Sequence, residues 1–318
     1  MNKIRLGKSD LEITRIGFGA WAIGGPWAWG WGDQSDPESI KTIHHALEIG
    51  INWIDTAAVY GLGHSEEIIS KALKGVSNKP YIFSKCGLVW DSDKNVSNSL
   101  KKESINKEID NSLRRLDVDI IDLYQIHWPN PDKDIEEAWE TMAELKLKQK
   151  VRYIGLSNFS VKQIKRAEKI YPVTSNQPPY SLLDRYIEKE ILPYCHKRQI
   201  GTINYSPMAS GLLSGKMTRI RVENLPADDW RRKSKYFKEP RLSRNFALVE
   251  ILKEIGIKHN CTAGAVAIAW TLSNPAISGA IVGLRKPAQV ESVVKAVEIK
   301  LTSEDIRVIE DFVKSDLK

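Results

Sequence analysis

A phenol, an ammonium, a carboxylate and an imidazole occur in this sequence in one kind of place, just after a short apolar run. Ile51–Ile54 is followed by Asp55 and then Tyr60, Tyr81–Ser84 by Lys85, and Ile120–Ile126 by His127. A tyrosine is a poor acid at neutral pH, with a pKa of about 10. A cation beside it stabilises the phenolate and lowers that pKa. Lys85 is the residue type to supply the cation, and Asp55 the type to hold Lys85 in place. His127 can donate a hydrogen bond to a second oxygen. Together the four are suited to protonate an oxygen that gains negative charge as the carbon bonded to it is reduced, which is general-acid catalysis with oxyanion stabilisation. The expectation is that Tyr60 is the acid and that Lys85 lowers its pKa.

Such a set works only if the chain brings the run ends together. Apolar, β-branched runs recur at Ile16–Gly19, Ile51–Ile54, Tyr81–Ser84, Ile120–Ile126, Val151–Leu156, Val173–Asn176, Thr202–Tyr205 and Ala280–Val282, eight in all. Their unbroken apolar character suits strands covered on both faces. Helical patterns lie between them. Asp36-Pro37 reads as an N-cap followed by Pro at the first helical position, with Gly50 as the stop. Ser65-Glu66-Glu67 places acid at the positive end of a second helix. Further helices are expected over Ser104–Leu116, Ile135–Lys146, Val161–Ile170, Asp184–Gln199, Phe246–His259 and Ala288–Val297.

Strands alternating with helices make either a barrel or a doubly wound sheet. The count of eight, and the lack of a GxGxxG after the first strand, favour a (β/α)8 TIM barrel. In that fold the strand ends converge on one mouth. Ser157-Asn158, Gln177, Tyr205-Ser206 and Gly283-Leu284-Arg285 then join Asp55, Tyr60, Lys85 and His127 there. Ile4–Leu6 and Leu11–Ile13 read as an N-terminal β-hairpin that plugs the barrel bottom. Thr302–Lys314 reads as an extra C-terminal helix. Pro207–Arg244 is the longest irregular stretch, and stretches of that length are usually functional or disordered.

The 318 residues suit one barrel domain spanning residues 1–318. The net charge of +7 is not gathered in one block, and no nucleic-acid-binding signature is present. A modest basic excess fits a phosphorylated cofactor better than a nucleic acid. The three cysteines, Cys86, Cys195 and Cys261, form no CxxC pair, so a reducing, cytoplasmic setting is expected. No secretory signal opens the sequence, and the longest apolar stretch, around Ala263–Leu272, is too short to span a bilayer. The histidines suggest no metal site.

Ile54-Asp55-Thr56-Ala57 with Tyr60-Gly61, Ser84-Lys85, Asp122-Leu123-Tyr124-Gln125-Ile126-His127-Trp128-Pro129 and Gly155-Leu156-Ser157-Asn158-Phe159 resemble the signatures of the aldo-keto reductase superfamily. The match runs in order from about Ile4 to Val313. Within the superfamily the chain is most similar to the bacterial general-stress aldo-keto reductases, through Gln177-Pro178-Pro179-Tyr180, Gly211-Leu212-Leu213-x-Gly215-Lys216-Met217 and Gly283-Leu284-Arg285-Lys286-Pro287.

The resemblance implies reduction of small-molecule aldehydes and ketones, with Tyr60 as proton donor and Asp55, Lys85 and His127 completing the tetrad. It implies that Ser157, Asn158 and Gln177 hold the nicotinamide carboxamide and that Tyr205 stacks on the ring. Ser206, Pro207, Met208, Ala209 and Ser210, with Lys216, would line the pyrophosphate, and Arg231 would reach the cofactor from the long loop. Gly283 and Leu284 lead to Arg285, which with Gln289 would meet the 2′-phosphate and adenine. Ala20 and Trp21 would border cofactor and substrate. Glu291, Ser292 and Val293 stand where many members carry an acid and Asn, so the expectation of NADPH over NADH rests on Arg285.

Trp21, Trp27, Trp29, Trp31, Trp90 and Trp128 all follow strands and are expected to wall the substrate pocket. The potassium-channel β-subunits, which share the scaffold, supply the alternative of a non-catalytic binding module. The complete set of four favours an enzyme, and an oligomer is not required.

Overall fold

The computed structural model describes residues 1–315. Twelve strands are present among them: β1 (Lys3–Arg5), β2 (Glu12–Thr14), β3 (Ile16–Gly19), β4 (Trp53–Asp55), β5 (Tyr81–Cys86), β6 (Leu88–Trp90), β7 (Val96–Asn98), β8 (Ile121–Ile126), β9 (Val151–Ser157), β10 (Ser175–Gln177), β11 (Gly201–Tyr205) and β12 (Ile277–Gly283). Eight of them close a parallel barrel in chain order, β3-β4-β5-β8-β9-β10-β11-β12 and back to β3. The fold is therefore the (β/α)8 barrel. Its strands are buried along nearly their whole length because the barrel core covers one face and the helices the other.

Among the described residues eleven α-helices accompany the strands: α1 (Asp36–Glu48), α2 (His64–Leu73), α3 (Lys102–Leu116), α4 (Ile135–Leu147), α5 (Val161–Glu168), α6 (Ile191–Arg198), α7 (Arg219–Glu223), α8 (Arg241–Lys258), α9 (Ala263–Ser273), α10 (Pro287–Val294) and α11 (Ser303–Lys314). Most start and stop within a few residues of the expected places. Asp36 is not the cap of α1. Ser35 holds that place with an extended backbone and accepts from Glu38 N, while Asp36 is the first helical residue and its carboxylate meets His64 Nε2 at 2.9 Å. The helix expected over Asp184–Gln199 begins only at Ile191, after a 3-10 turn at Tyr186–Glu188. Pro193 has no N–H to offer a preceding turn, so the helix must open close before it.

Two elements left no periodic signal. Helix α9 is apolar all round, because it lies buried between the barrel and its neighbours. Thr262 caps it by accepting from Ala265 N at 3.1 Å. The β6–β7 hairpin is short and its turn polar. Asp91 Oδ1 accepts the backbone N–H groups of Asp93 and Asn95, each at 2.9 Å, and so holds that turn.

The bottom is closed as expected. β1 pairs with β2 in the register Lys3↔Thr14, Ile4↔Ile13, Arg5↔Glu12. Leu6, Leu11 and Ile13 then pack upward against Trp53, Phe83, Leu123, Ile203 and Ile281 inside the barrel. Pro207–Arg244 is ordered rather than a free loop. It carries 3-10 turns at Leu212–Ser214, Trp230–Lys233 and Lys235–Phe237 as well as α7, and is pinned by buried Leu212, Leu213, Met217, Leu225 and Phe237. No helix among the described residues is long and apolar enough to cross a membrane.

Candidate active site

Strand ends β4, β5 and β8 deliver Asp55, Lys85 and His127 to the mouth, and the turn after β4 adds Tyr60. Lys85 is the centre of the group. Its Nζ donates to Asp55 Oδ1 at 2.6 Å, to the Thr56 carbonyl at 2.9 Å and to Tyr60 Oη at 3.3 Å. All three ammonium protons are thereby used. The Tyr60 oxygen accepts from Lys85, which leaves its own proton for an acceptor in the cleft. The His127 ring stands edge-on to Tyr60, with centroids 5.7 Å apart.

The electrostatics differ from the sequence expectation. Burial pushes the Tyr60 phenol well above its ordinary pKa, and Asp55 adds to the rise. Burial lowers Lys85 from the usual lysine value against the pull of Asp55. Burial, then Lys85, hold His127 well below the ordinary imidazole value, so it is neutral. Lys85 is in place, but desolvation governs the phenol: Asp55 and Lys85 are buried, and Tyr60 and His127 are open only in part, toward the cleft. The Tyr60 phenol is thus held neutral rather than half-ionised.

Around the tetrad a cleft of about 1120 Å³ opens across the barrel mouth. Ser157, Asn158 and Gln177 form its near wall. Gln177 Nε2 donates to Asp55 Oδ2 at 2.8 Å and to Gln125 Oε1 at 3.3 Å. Asn158 Nδ2 donates to the His127 carbonyl, and Asn158 Oδ1 accepts from the Tyr205 hydroxyl, both at 2.9 Å. Beyond Tyr205 the chain turns sharply. Ser206, Ala209 and Ser210 take left-handed backbone conformations with φ of 55°, 48° and 58°. Such strain in non-glycine residues collects at functional sites. Lys216, Arg221, Arg231, Arg285 and Lys286 make the far wall cationic.

A family model for the aldo/keto reductase family matches residues 15–314. The chain is an aldo-keto reductase. The family's members are oxidoreductases that act on carbonyl groups with nicotinamide cofactors. The chain is 38% identical to aldo-keto reductase YhdN of Bacillus subtilis over 308 residues, covering 96% of this chain and 91% of that one. It is 34% identical to the NADH-specific methylglyoxal reductase of Escherichia coli, covering 99% of both. Among solved structures, the glycerol dehydrogenase AKR11B4 from Gluconobacter oxydans superposes with a TM-score of 0.90 at 37% identity, covering 98% of this chain and 95% of that one.

In this aldo-keto reductase most of the expected site residues line the one cleft: Trp21, Ser206, Pro207, Met208, Ser210, Lys216, Arg231, Gly283, Leu284, Arg285 and Gln289 join the tetrad's Asp55, Tyr60 and His127. Three do not. Lys85 lies beneath Tyr60 and Asp55. Ala20 is wholly buried, with its carbonyl taken by Ser65 Oγ at 3.0 Å, and Ala209 is buried against the core. Of the tryptophans, Trp21, Trp27, Trp29, Trp31 and Trp128 line the cleft. Trp90 does not; it stands in the β6–β7 hairpin under the Arg115 guanidinium. Trp230, Gln34, Arg221, Asn98 and Asn130 line it too and were not anticipated. Trp230 and Arg221 were legible as part of the long basic segment, whereas Gln34 and Asn98 carry no sequence signal. Among the described residues no cluster of three or more metal-binding side chains is present.

Proposed function

We propose that this reductase converts small uncharged aldehydes and ketones to alcohols with NADPH, using Tyr60 as the proton donor. The observation that carries the reading is the arrangement at Lys85 Nζ, within hydrogen-bonding reach of both Asp55 and Tyr60 Oη.

The side chains present fit the cofactor. Both Gln177 amide protons go to Asp55 and Gln125, so its Oε1 is left as an acceptor for a carboxamide N–H. Ser157 and Asn158 stand beside it, and the Tyr205 ring is tethered by Asn158 as a stacking surface. The left-handed turn from Ser206 to Ser210, with Lys216 and Arg231, suits a pyrophosphate. Gly283 and Leu284 lead to Arg285 at the adenosine end. There Gln289 Oε1 accepts the backbone N–H groups of Arg285 and Lys286, at 2.7 and 3.0 Å, and fixes the turn. NADPH bound there supplies the hydride. Tyr60 gives its proton to the carbonyl oxygen, neutral His127 orients that oxygen, and Lys85 keeps the phenol oriented and stabilises the negative charge left on it.

The substrate wall of Trp27, Trp29, Leu88, Asn98, Trp128 and Asn130 holds no charged group, which favours a neutral substrate. One copy of the chain, acting as a single domain, provides every residue named. The Escherichia coli relative's NADH specificity is the competing reading of the cofactor, and Arg285 at the cleft supports NADPH here. The complete tetrad, in mutual contact, supports catalysis over a binding module.

The test is Tyr60→Phe, with reduction of 4-nitrobenzaldehyde followed at the nicotinamide band. Turnover is expected to fall by about 10²–10⁴-fold while NADPH binds within about twofold of wild type. Wild-type turnover in that variant would remove Tyr60 from its role.

A further inference from the structure

The Arg285 guanidinium is engaged by the protein's own groups. Its Nε donates to Gln34 Oε1 at 2.6 Å, its Nη1 to the Trp31 carbonyl at 3.3 Å, and its Nη2 to the Asp33 carbonyl. Gln34 returns the contact: its Nε2 donates to the Arg285 carbonyl at 3.0 Å and to Ser39 Oγ at 3.1 Å. The segment Trp31–Gln34 is therefore clasped to the start of the turn before α10. Arg231 reaches the same place, stacked over the Trp31 ring at 5.0 Å and paired with Asp229 at 2.6 Å.

A phosphate takes an arginine best along one edge, through two parallel N–H groups. The Nε/Nη2 edge carries Gln34 Oε1 and the Asp33 carbonyl. Nη1 has one of its two protons on the Trp31 carbonyl. A bidentate approach along the Nε/Nη2 edge thus displaces both acceptors present there. A phosphate oxygen makes the stronger, charge-assisted bond and so prevails, but its affinity is reduced by what it displaces. A dinucleotide without a 2′-phosphate asks nothing of Arg285 and leaves the clasp alone.

We propose that Gln34 is a specificity-determining residue: by competing for Arg285 it sets how strongly the enzyme prefers NADPH over NADH. This rests on the reading of Arg285 as the 2′-phosphate ligand. Gln34 is the side-chain member of the clasp, since the other two acceptors are backbone carbonyls. Its influence is readable in opposite directions. Gln34→Ala frees Nε and leaves only the Asp33 carbonyl on the Nε/Nη2 edge, whereas Gln34→Glu holds Nε with a full charge.

The test is calorimetric titration of NADP⁺ and NAD⁺ into wild type, Gln34→Ala, Gln34→Glu and Arg285→Ala. Gln34→Ala is expected to bind NADP⁺ about fivefold more tightly, and Gln34→Glu more than about tenfold more weakly. NAD⁺ affinity is expected to move by less than about twofold in both. Weaker or unchanged NADP⁺ binding in Gln34→Ala overturns the proposal, as do equal changes for both nucleotides. If Arg285→Ala weakens both nucleotides equally, the reading of Arg285 itself fails, a result distinct from failure of Gln34 alone.

Discussion

Lys85 and Asp55 form an ion pair at 2.6 Å with almost no access to water. Removing one partner from such a pair leaves an uncompensated buried charge. Lys85→Met is therefore expected to lower stability by about 3–5 kcal/mol and to abolish reduction. Adding Asp55→Asn should restore part of the stability and none of the turnover. Thermal melts and the aldehyde assay check both, and a Lys85→Met enzyme that keeps its activity would separate Lys85 from the chemistry.

The phenol and imidazole make a pH prediction with a definite sign. A group whose pKa is raised stays protonated to higher pH, so Tyr60 remains an acid throughout the neutral range. His127, held low, does not gain a proton there. The kcat/KM for reduction should be level between about pH 7 and pH 9. A falling limb centred near pH 8 would show that the phenol's pKa is lowered after all.

Among the elements, the turn carrying Tyr60 depends on a close approach to the loop after β3. Gly61 has a left-handed backbone with φ of 61°, and a Cβ there would lie 1.9 Å from the Gly24 carbonyl oxygen. Gly61→Ala must push the turn outward, taking Tyr60 with it. The expected result is a loss of kcat of about tenfold or more with a lower melting temperature. Normal kcat would show that the turn moves without Tyr60.

Helix α3 is joined to the β5 end by a buried acid. Glu108 accepts from Gly87 N at 2.9 Å and from Ser104 Oγ at 3.2 Å, and burial raises its pKa from 4.5 to about 7. Its folded-state pKa lies above the unfolded one. The stabilisation from binding a proton is therefore complete below about pH 4.5 and lost as pH rises through about 7. The loss amounts to roughly 3 kcal/mol. Glu108→Gln has no such loss, so its melting temperature should gain on wild type steadily from about pH 5 to pH 8. A constant gap would place the titration elsewhere.

At the scale of the molecule, the cleft is at the top of the barrel and closure at the bottom. Leu11, fully buried, packs with Trp53, Phe83 and Leu123 under the floor of the barrel. Leu11→Ala should lower stability by about 2–5 kcal/mol and leave kcat at low temperature near wild type. A large change in kcat would mean that the floor positions the mouth. The barrel itself was legible because each buried strand announces itself as an apolar run, and each amphipathic helix by its period. Helix α9 and the β6–β7 hairpin were not, since one has no polar face and the other is two strands of three residues, too short to show a period. Asp55, Tyr60, Lys85 and His127 were legible as polar breaks at run ends. Gln34 was not, because a glutamine in a loop gains meaning only from what the fold sets beside it.

Composition and order along the chain determined the eight-stranded alternation, the side chains delivered to its rim and the family they signify. The tertiary structure alone decided which protons those side chains hold and which of their donors are already engaged. The phenol is kept neutral and Arg285 is clasped because desolvation and hydrogen bonding are sums over neighbours distant in sequence. Those neighbours meet only when the barrel closes.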